Sequence, residues 1–139
     1  MAERGDSRIT HHDLCFGCGP ANLFGLQLEL ERTSEGVAGR FFVKQDHQGP
    51  PGYAHGGVLA AALDEAMALL VFDSEAVAVT ARLEIDLRAP APVGSFVAVT
   101  AEVLRDEGRR IELTALAAGS EEPRTLLAEA RGVFVRPAG

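Results

Sequence analysis

A histidine and two glycines stand directly before an apolar segment that favours a helix. His55, Gly56 and Gly57 precede residues 58–72, which are rich in Ala, Leu and Met. The first amides of a helix lack intrahelical acceptors and carry partial positive charge, and glycine lets a ligand approach them closely. A carbonyl oxygen bound there would be polarised, and the oxyanion formed on attack would be stabilised. The alternative is a glycine entry that only lets the helix start tightly against a neighbour.

An aspartate interrupts the same apolar segment. Asp64 lies in the middle of the predicted helix, among Ala, Leu and Met side chains. A carboxylate on a buried helix costs free energy unless it is compensated, and burial raises its pKa toward the range useful for a general base. Asp64 is therefore a candidate catalytic carboxylate. The alternative is that Asp64 and Glu65 mark one narrow solvated stripe.

The spacing of these groups limits how they can cooperate. Asp64 follows Gly56 by eight residues, which is about 12 Å along a helix axis. That distance is too long for both groups to reach one reacting carbon, even though helix side chains lean toward the N-terminus. A shared site therefore needs Gly56 of one chain and Asp64 of another, which predicts a homodimer with two symmetric sites.

The elements around this segment predict a two-layer domain. The chain has 139 residues, enough for one core, and a helix that is apolar nearly all round must be buried. We expect residues 1–14 to form a flexible N-terminal arm and residues 15–139 to form the single domain. The order β-β-α-β-β-β-β predicts an α+β fold in which a curved antiparallel sheet wraps one central helix. The predicted strands are 26–31, 37–43, 76–88, 95–104, 109–117 and 125–135.

Charge and hydropathy restrict the partners. The net charge of −7 argues against non-specific binding of nucleic acid, which needs a positive surface. The polar start of the chain lacks an apolar export signal, and the apolar segment 56–72 is too short and too charged to cross a bilayer. We therefore expect a cytoplasmic protein with no membrane partner, in which both cysteines are reduced.

At the residues named above, the sequence resembles a known family. The run Gly52–Gly57, followed by six residues and then Asp64, is similar to the motif of hotdog-fold thioesterases, specifically the PaaI-type acyl-CoA thioesterase group. The resemblance covers about residues 15–136. The loop Cys15–Asn22, followed by Gly25, also resembles an N-terminal signature of a bacterial subgroup, although Leu23 stands where that signature often has proline.

The resemblance implies a fold, an activity and residue roles. The fold would be the hotdog, the activity hydrolysis of acyl-CoA, and the assembly a homodimer or a dimer of dimers. Gly56 would donate its amide to the thioester oxygen, and Asp64 would act as general base or nucleophile. His55 would shape the carbonyl site, and Thr80 would orient the attacking water. Coenzyme A would enter as part of the substrate, with no cofactor and no metal.

The position of Thr80 carries a structural condition. Strict alternation along the predicted strand places Thr80 on the face opposite Leu83 and Ile85. A β-bulge or a strong twist between them is needed to turn all three side chains to one face. Without the resemblance, Thr80 is an ordinary strand threonine.

Candidate substrate contacts are less specific. Gly57 adjoins the candidate carbonyl site. Some relatives have asparagine six residues before the histidine, where Gly49 stands, and Gln48 could supply a similar amide. Arg82 and Arg88 are candidates for the phosphates of coenzyme A. The sequence does not select these arginines over Arg105, Arg109 and Arg110.

Two cysteines invite a metal interpretation. The spacing His12-x2-Cys15-x2-Cys18 could be part of a metal site that His11 or a second chain completes. A structural zinc site usually has four ligands at paired spacings, and the second pair is missing from the sequence. We therefore expect two small reduced thiols and no metal.

Two other functions stay open. The first is an acyl-thioester hydratase or dehydratase in which His55 and Asp64 act as acid and base. The second is a non-catalytic module that binds acyl-CoA, although a binder gains nothing from a carboxylate on an apolar helix. The sequence does not indicate the length or kind of the acyl group.

Overall fold

One long helix lies against a seven-stranded antiparallel sheet. The computed structural model describes residues 8–74 and 77–137. A single 3-10 turn, Gln45–His47, precedes the loop that leads into the helix. The elements are β1 (Arg8–Ile9), β2 (Glu29–Arg32), β3 (Val37–Phe42), α1 (Gly56–Asp73), β4 (Val79–Leu87), β5 (Phe96–Asp106), β6 (Arg110–Gly119) and β7 (Leu126–Val135).

The sheet order explains how the helix is covered. The strands lie in the order β1-β2-β3-β5-β6-β7-β4, and every neighbouring pair is antiparallel. The chain leaves the sheet after β3, forms α1, and returns at the far edge as β4. The consecutive strands β5, β6 and β7 form a meander between them. This arrangement confirms the α+β hotdog fold with one central helix.

The central helix is buried because its sequence is apolar on most sides. Leu63, Met67 and Leu69 are fully buried, and the cluster around them joins helix and sheet. A Cβ at Gly132 of β7 would lie 3.0 Å from Met67, so this glycine lets the sheet approach α1 closely. The prediction began the helix at residue 58, because glycine is a poor helix former. No helix of the described ranges is long and apolar enough to cross a membrane.

Two predicted strands begin three residues later in the structure than the sequence pattern indicated. The predicted strand 26–31 begins only at Glu29, because Gln27 adopts a φ of 53°, which interrupts extended backbone. Leu26 and Leu28 are nevertheless buried. The predicted strand 76–88 is observed as Val79–Leu87, and its first predicted residue, Ala76, lies outside the described residues.

The N-terminal segment differs from the expected loose arm. Residues 1–7 of the predicted arm lie outside the described residues. Arg8 and Ile9 form β1, which pairs with Glu31 and Leu30 of β2. Ile9 is only 4% exposed. A single apolar residue in a polar stretch gave the sequence no periodic signal, so the strand was missed.

Candidate active site

Asp64 and Thr80 meet between the helix and the edge strand β4. The Thr80 hydroxyl donates a hydrogen bond of 2.8 Å to Asp64 Oδ1. The pairing of β4 with β7 shifts register between Thr80 and Arg82. This bulge at Ala81 turns Thr80 to the face that carries Leu83, as the sequence required. One side-chain contact thereby joins two residues that are sixteen positions apart in the sequence.

The environment of Asp64 suits proton transfer. Burial raises the pKa of its carboxyl above the ordinary value. The hydrogen bond from Thr80 acts in the opposite direction, and the neighbouring Glu65 carboxylate adds to the rise. A carboxylate with a raised pKa is a stronger base than one in water, and half-burial leaves room for a small molecule to reach it.

The start of α1 presents a single uncommitted amide. His55 is the N-cap, and its Nδ1 accepts a hydrogen bond of 2.8 Å from the Gly57 amide. The Val58 amide donates to the His55 carbonyl at 2.9 Å. In the part of the chain that the structure describes, the Gly56 amide has no acceptor. Gly56 therefore offers the donor for a ligand oxygen, whereas the Gly57 amide is engaged within the chain.

The cap also fixes the state of the imidazole. Because Nδ1 of His55 accepts from a backbone N–H, the proton of the neutral ring resides on Nε2. A Cβ on Gly57 would lie 3.1 Å from this Nδ1, so glycine at this position makes room for the ring. The role that the structure gives His55 is to organise the helix start beside Gly56.

The loop before the helix positions His55 through backbone contacts. The His55 amide donates to the His47 carbonyl at 2.8 Å, and a Cβ on Gly49 would lie 2.7 Å from His55 Cα. Glycine is therefore required where some relatives carry asparagine. The Gln48 side chain accepts from the Gly52 amide. Gln48 braces this loop, and its side-chain oxygen is not among the groups near Asp64.

His47 was not singled out from the sequence, although it is the buried polar residue of this loop. It is 3% exposed, and its Nδ1 accepts from the Lys44 amide at 3.0 Å. Its Nε2 lies 3.2 Å from the Gly25 carbonyl. Burial lowers the pKa of this imidazole, which keeps it neutral and able to fill both contacts. No periodic or spacing signal marked this histidine as structural.

The inner face of β4 runs from one candidate group to the other. A Cβ on Gly56 would lie 2.9 Å from Leu87 Cδ1, so the end of β4 reaches the helix start. Thr80, near the beginning of β4, contacts Asp64. Strand and helix therefore run antiparallel, with Gly56 beside the end of β4 and Asp64 beside its beginning, and the two groups are separated along the helix as their spacing in the sequence predicts.

The two candidate arginines lie on the other face of β4. Arg82 pairs with Glu84 at 3.3 Å, and Arg88 pairs with Glu129 at 2.8 Å. Both guanidinium groups are exposed on the outer face of the sheet, away from Thr80. The structure does not gather Arg82, Arg88 or Gln48 with Asp64, so their contacts to coenzyme A stay predictions.

The opposite side of α1 holds a second group of reactive side chains. Glu65 lies beside His11, Cys15 and Cys18, with their donor atoms within 4.8 Å of one another. His12 is not part of this group, because its Nδ1 accepts from the Leu14 amide in the local turn. The sequence pattern placed His12 with the two cysteines, named His11 as a residue that could complete the site, and did not connect Glu65 with them.

Comparison with known proteins identifies related sequences. Residues 51–117 match the family model described as "Thioesterase superfamily". Rat acyl-coenzyme A thioesterase THEM4 is 34% identical over 89 residues, which are 64% of this chain and 38% of that protein. Human acyl-coenzyme A thioesterase THEM5 is also 34% identical, over 64% of this chain and 36% of its own length. The chain thus spans less than two fifths of these curated relatives.

Solved structures extend the similarity to most of the chain. A crystallised thioesterase superfamily protein superposes with a TM-score of 0.80 at 26% identity, covering 88% of this chain and 60% of its own. A hypothetical thioesterase of Streptococcus pneumoniae, solved with coenzyme A, gives 0.73 at 16% identity, covering 80% and 89%. The Escherichia coli PaaI protein of the phenylacetic acid degradation operon gives 0.72 at 21% identity, covering 79% and 83%.

Proposed function

Because residues 51–117 match the thioesterase superfamily model and the fold is the hotdog, we propose that the chain hydrolyses acyl-CoA thioesters to a free acid and coenzyme A. The observation that carries this proposal is the Asp64–Thr80 pair, which lies along the same contact between β4 and α1 as the uncommitted amide of Gly56. The names of the THEM4 and THEM5 relatives and the coenzyme A held by the pneumococcal structure support the substrate class.

The proposed reaction uses three groups. Thr80 donates to Asp64, so the threonine oxygen can accept a hydrogen bond from a bound water and hold that water beside the carboxylate. Asp64 takes a proton from that water as its oxygen attacks the thioester carbon, and the Gly56 amide stabilises the oxyanion. Collapse of the intermediate breaks the C–S bond, and the departing thiolate receives the proton. Direct attack by Asp64 would form an acyl-enzyme anhydride instead, and it needs the same carboxylate.

A second copy of the chain is needed to bring these groups together. Gly56 and Asp64 are about 12 Å apart along α1. Strand β4 forms one edge of the described sheet, and Val79 and Leu87 are 65% and 56% exposed there. An edge with unpaired backbone groups and apolar side chains favours pairing with another strand. We assign this edge to the partner subunit.

The antiparallel course of β4 and α1 makes such pairing productive. If β4 pairs with its own copy about a two-fold axis at Glu84, residues of the same face lie opposite each other, and the bulge at Ala81 brings Thr80 near the partner's Leu87. The partner's Leu87 adjoins the partner's Gly56, just as Leu87 adjoins Gly56 within the chain. Each Asp64 would then face a helix start from the other chain, which gives two equal sites. Assembly of two dimers and a cytoplasmic location stay predictions.

Release of thiol from acyl-CoA tests the activity. A panel of short, long and aryl acyl-CoA substrates, assayed in water enriched in ¹⁸O, should yield free coenzyme A and an acid with one labelled oxygen per turnover. A hydratase would change the acyl chain without releasing thiol, and a binding module would retain the substrate unchanged. Either result would contradict the proposal.

A subunit-mixing experiment tests the shared site. Asp64→Asn and Gly56→Val chains carrying different affinity tags should each be inactive alone. A heterodimer purified through both tags contains one intact site and one doubly altered site, so it should recover about half of the wild-type activity per dimer. Recovery below about a twentieth in a verified heterodimer would mean that Gly56 and Asp64 do not complete one site across the interface.

A further inference from the structure

Three side chains of the N-terminal loop converge on one side chain of the central helix α1. His11 Nδ1 lies 3.0 Å from Glu65 Oε2, 3.6 Å from Cys15 Sγ and 3.8 Å from Cys18 Sγ. Cys15 Sγ lies 3.4 Å from the same Glu65 oxygen. The histidine and cysteines come from the N-terminal loop, whereas Glu65 comes from the middle of the helix. Each residue offers one donor atom toward a common centre.

These separations match the edges of a tetrahedral zinc site. Zinc binds thiolate sulfur at about 2.3 Å and histidine nitrogen or carboxylate oxygen at about 2.0–2.2 Å. Tetrahedral placement of such ligands gives distances of about 3.3–3.8 Å between donor atoms. Four of the six donor-to-donor distances lie between 3.0 and 3.8 Å, and the other two are within 4.8 Å, so the N-terminal loop must close slightly on Glu65 to bind one ion.

The loop that carries the cysteines is built to hold them. The His11 amide donates to Cys18 Sγ at 3.3 Å, a contact that stabilises thiolate charge in metal sites. The Gly19 amide donates to the Cys15 carbonyl at 2.8 Å and closes the turn between the cysteines. A Cβ on Gly17 would collide with the Glu65 side chain. Glycine at position 17 thus makes room for the carboxylate beside the two sulfurs.

We propose that His11 Nδ1, Cys15 Sγ, Cys18 Sγ and one Glu65 carboxylate oxygen bind a structural Zn²⁺ ion that fastens the N-terminal loop to the central helix. Two thiolates, an imidazole and a carboxylate form the kind of mixed ligand set that zinc accepts. All four positions are filled by the protein, so the ion has no open position for a substrate and its role is structural.

Charge and burial are consistent with this assignment. Cys18 is fully buried, and the Glu65 and His11 side chains are only 12% and 24% exposed. Burial, reinforced by Glu65, raises the pKa of the Cys18 thiol, so this thiol stays protonated when no cation is bound. Binding of Zn²⁺ releases both thiol protons to solvent, and the ion balances the two thiolates and the carboxylate.

The proposal replaces the expectation of no metal. That expectation rested on the missing second pair of ligands in the sequence. The fourth ligand follows Cys15 by fifty residues and lies on a helix, so no spacing in the sequence connects it with the cysteines. The third ligand is His11 rather than His12, a choice that depends on the local turn.

Metal content of the full chain tests the site directly. Protein produced with zinc in the medium and dialysed extensively should retain about one Zn²⁺ per chain by mass spectrometry of the metal. Cys18→Ser and Glu65→Gln should lower zinc affinity by at least about tenfold, measured by competition with a chromogenic chelator. His12→Ala is the matched control, because His12 lies one residue away and points elsewhere, and it should retain the wild-type affinity.

Spectroscopy on the wild-type chain keeps the test independent of variants that fail to fold. After removal of zinc with a chelator, addition of Co²⁺ should produce thiolate-to-cobalt charge-transfer bands and tetrahedral d–d bands. X-ray absorption at the zinc edge should show two sulfur and two nitrogen or oxygen neighbours. Less than about a tenth of an ion per chain, or bound zinc without sulfur neighbours, would overturn the assignment. None of these measurements depends on thioester hydrolysis.

Discussion

Two adjacent carboxylates on α1 have different surroundings. Asp64 faces the edge strand β4 and accepts a hydrogen bond from Thr80, whereas Glu65 faces the N-terminal loop and contacts His11 and Cys15. One residue along a helix rotates the side chain by about 100°, which is enough to place the two acids on separate surfaces. The identity of an acidic residue therefore says less about its chemistry than the element that packs against it.

The comparison distinguishes a surface proposed for catalysis, at Asp64, from a surface proposed to attach the N-terminal loop, at Glu65. Asp64 is half-buried beside the exposed hydroxyl of Thr80. Glu65 is nearly enclosed by sulfur and imidazole groups. A carboxylate that must exchange protons needs access to water, and one that holds a structural ion needs shelter from it. The proposed thioesterase and zinc roles follow this division.

Exchanging each acid for its amide gives the largest expected contrast. Asp64→Asn keeps the shape and can still accept from Thr80, but it removes the base, so kcat should fall about 10²–10⁴-fold. Glu65→Gln should reduce kcat by less than about tenfold, because Glu65 acts through loop attachment. Steady-state thiol-release kinetics on both variants checks this, and equal losses would remove the distinction between the two surfaces.

Loss of the hydroxyl at position 80 should have a smaller effect. Thr80→Val keeps the β-branched shape on β4 but cannot hold or orient water, so kcat/KM should fall by about 10–100-fold. Thr80→Ser retains the hydroxyl and should stay within about threefold of wild type. Comparable losses in the valine and serine variants would show that Thr80 contributes packing alone.

Substitution of the N-cap residue His55 tests whether its imidazole only stabilises the start of α1 or also takes part in the reaction. His55→Ala removes the acceptor for the Gly57 amide and should lower the free energy of unfolding by about 1 kcal/mol. His55→Asn supplies another good N-cap and should restore most of that stability. Chemical denaturation measures both. If the asparagine variant is stable but still inactive, the imidazole contributes to the reaction beyond capping.

The weakest expected signature is the pH dependence of the Asp64 carboxyl. Because its folded pKa is raised, its contribution to stability is present below the unfolded pKa and is lost as pH rises through the folded pKa. The ionised form is the base, so activity should rise over that same range. Asp64→Asn should abolish this part of the pH dependence of unfolding. An unchanged difference between wild type and variant from pH 3 to pH 8 would contradict a raised pKa, since an ordinary carboxyl titrates near about 4.

The parts of the site that were predictable are those encoded within short segments. The glycine pair before an apolar stretch indicated the helix start, and the eight-residue separation of Gly56 and Asp64 followed from helix geometry. The role that the family resemblance gave Thr80 required a bulge or a strong twist before Leu83, and the register shows an irregularity near Ala81. Each of these conclusions depends on residues that are close in sequence, where backbone geometry fixes their relation.

The parts that were missed depend on contacts between distant segments or on single backbone angles. Nothing in the spacing of Cys15 and Cys18 points to Glu65, because only the packed loop brings them together. The strand at Ile9 rests on one buried residue, and the late start of β2 rests on the φ angle of Gln27. Periodicity carries no information about such features.

The extra residue at Ala81 lets β4 present both apolar side chains and the Thr80 hydroxyl to the helix. Without it, β4 could present either its row of leucine and isoleucine or the hydroxyl of Thr80 toward the helix, but not both. The bulge shifts the alternation of side chains by one residue, so the leucine and isoleucine side chains and the Thr80 hydroxyl lie on the same face of β4. Removing a single residue between Thr80 and Leu83 would restore strict alternation and move either the apolar side chains or the Thr80 hydroxyl to the outer face of the sheet. Strand length between these two positions is therefore constrained as tightly as the identity of either residue.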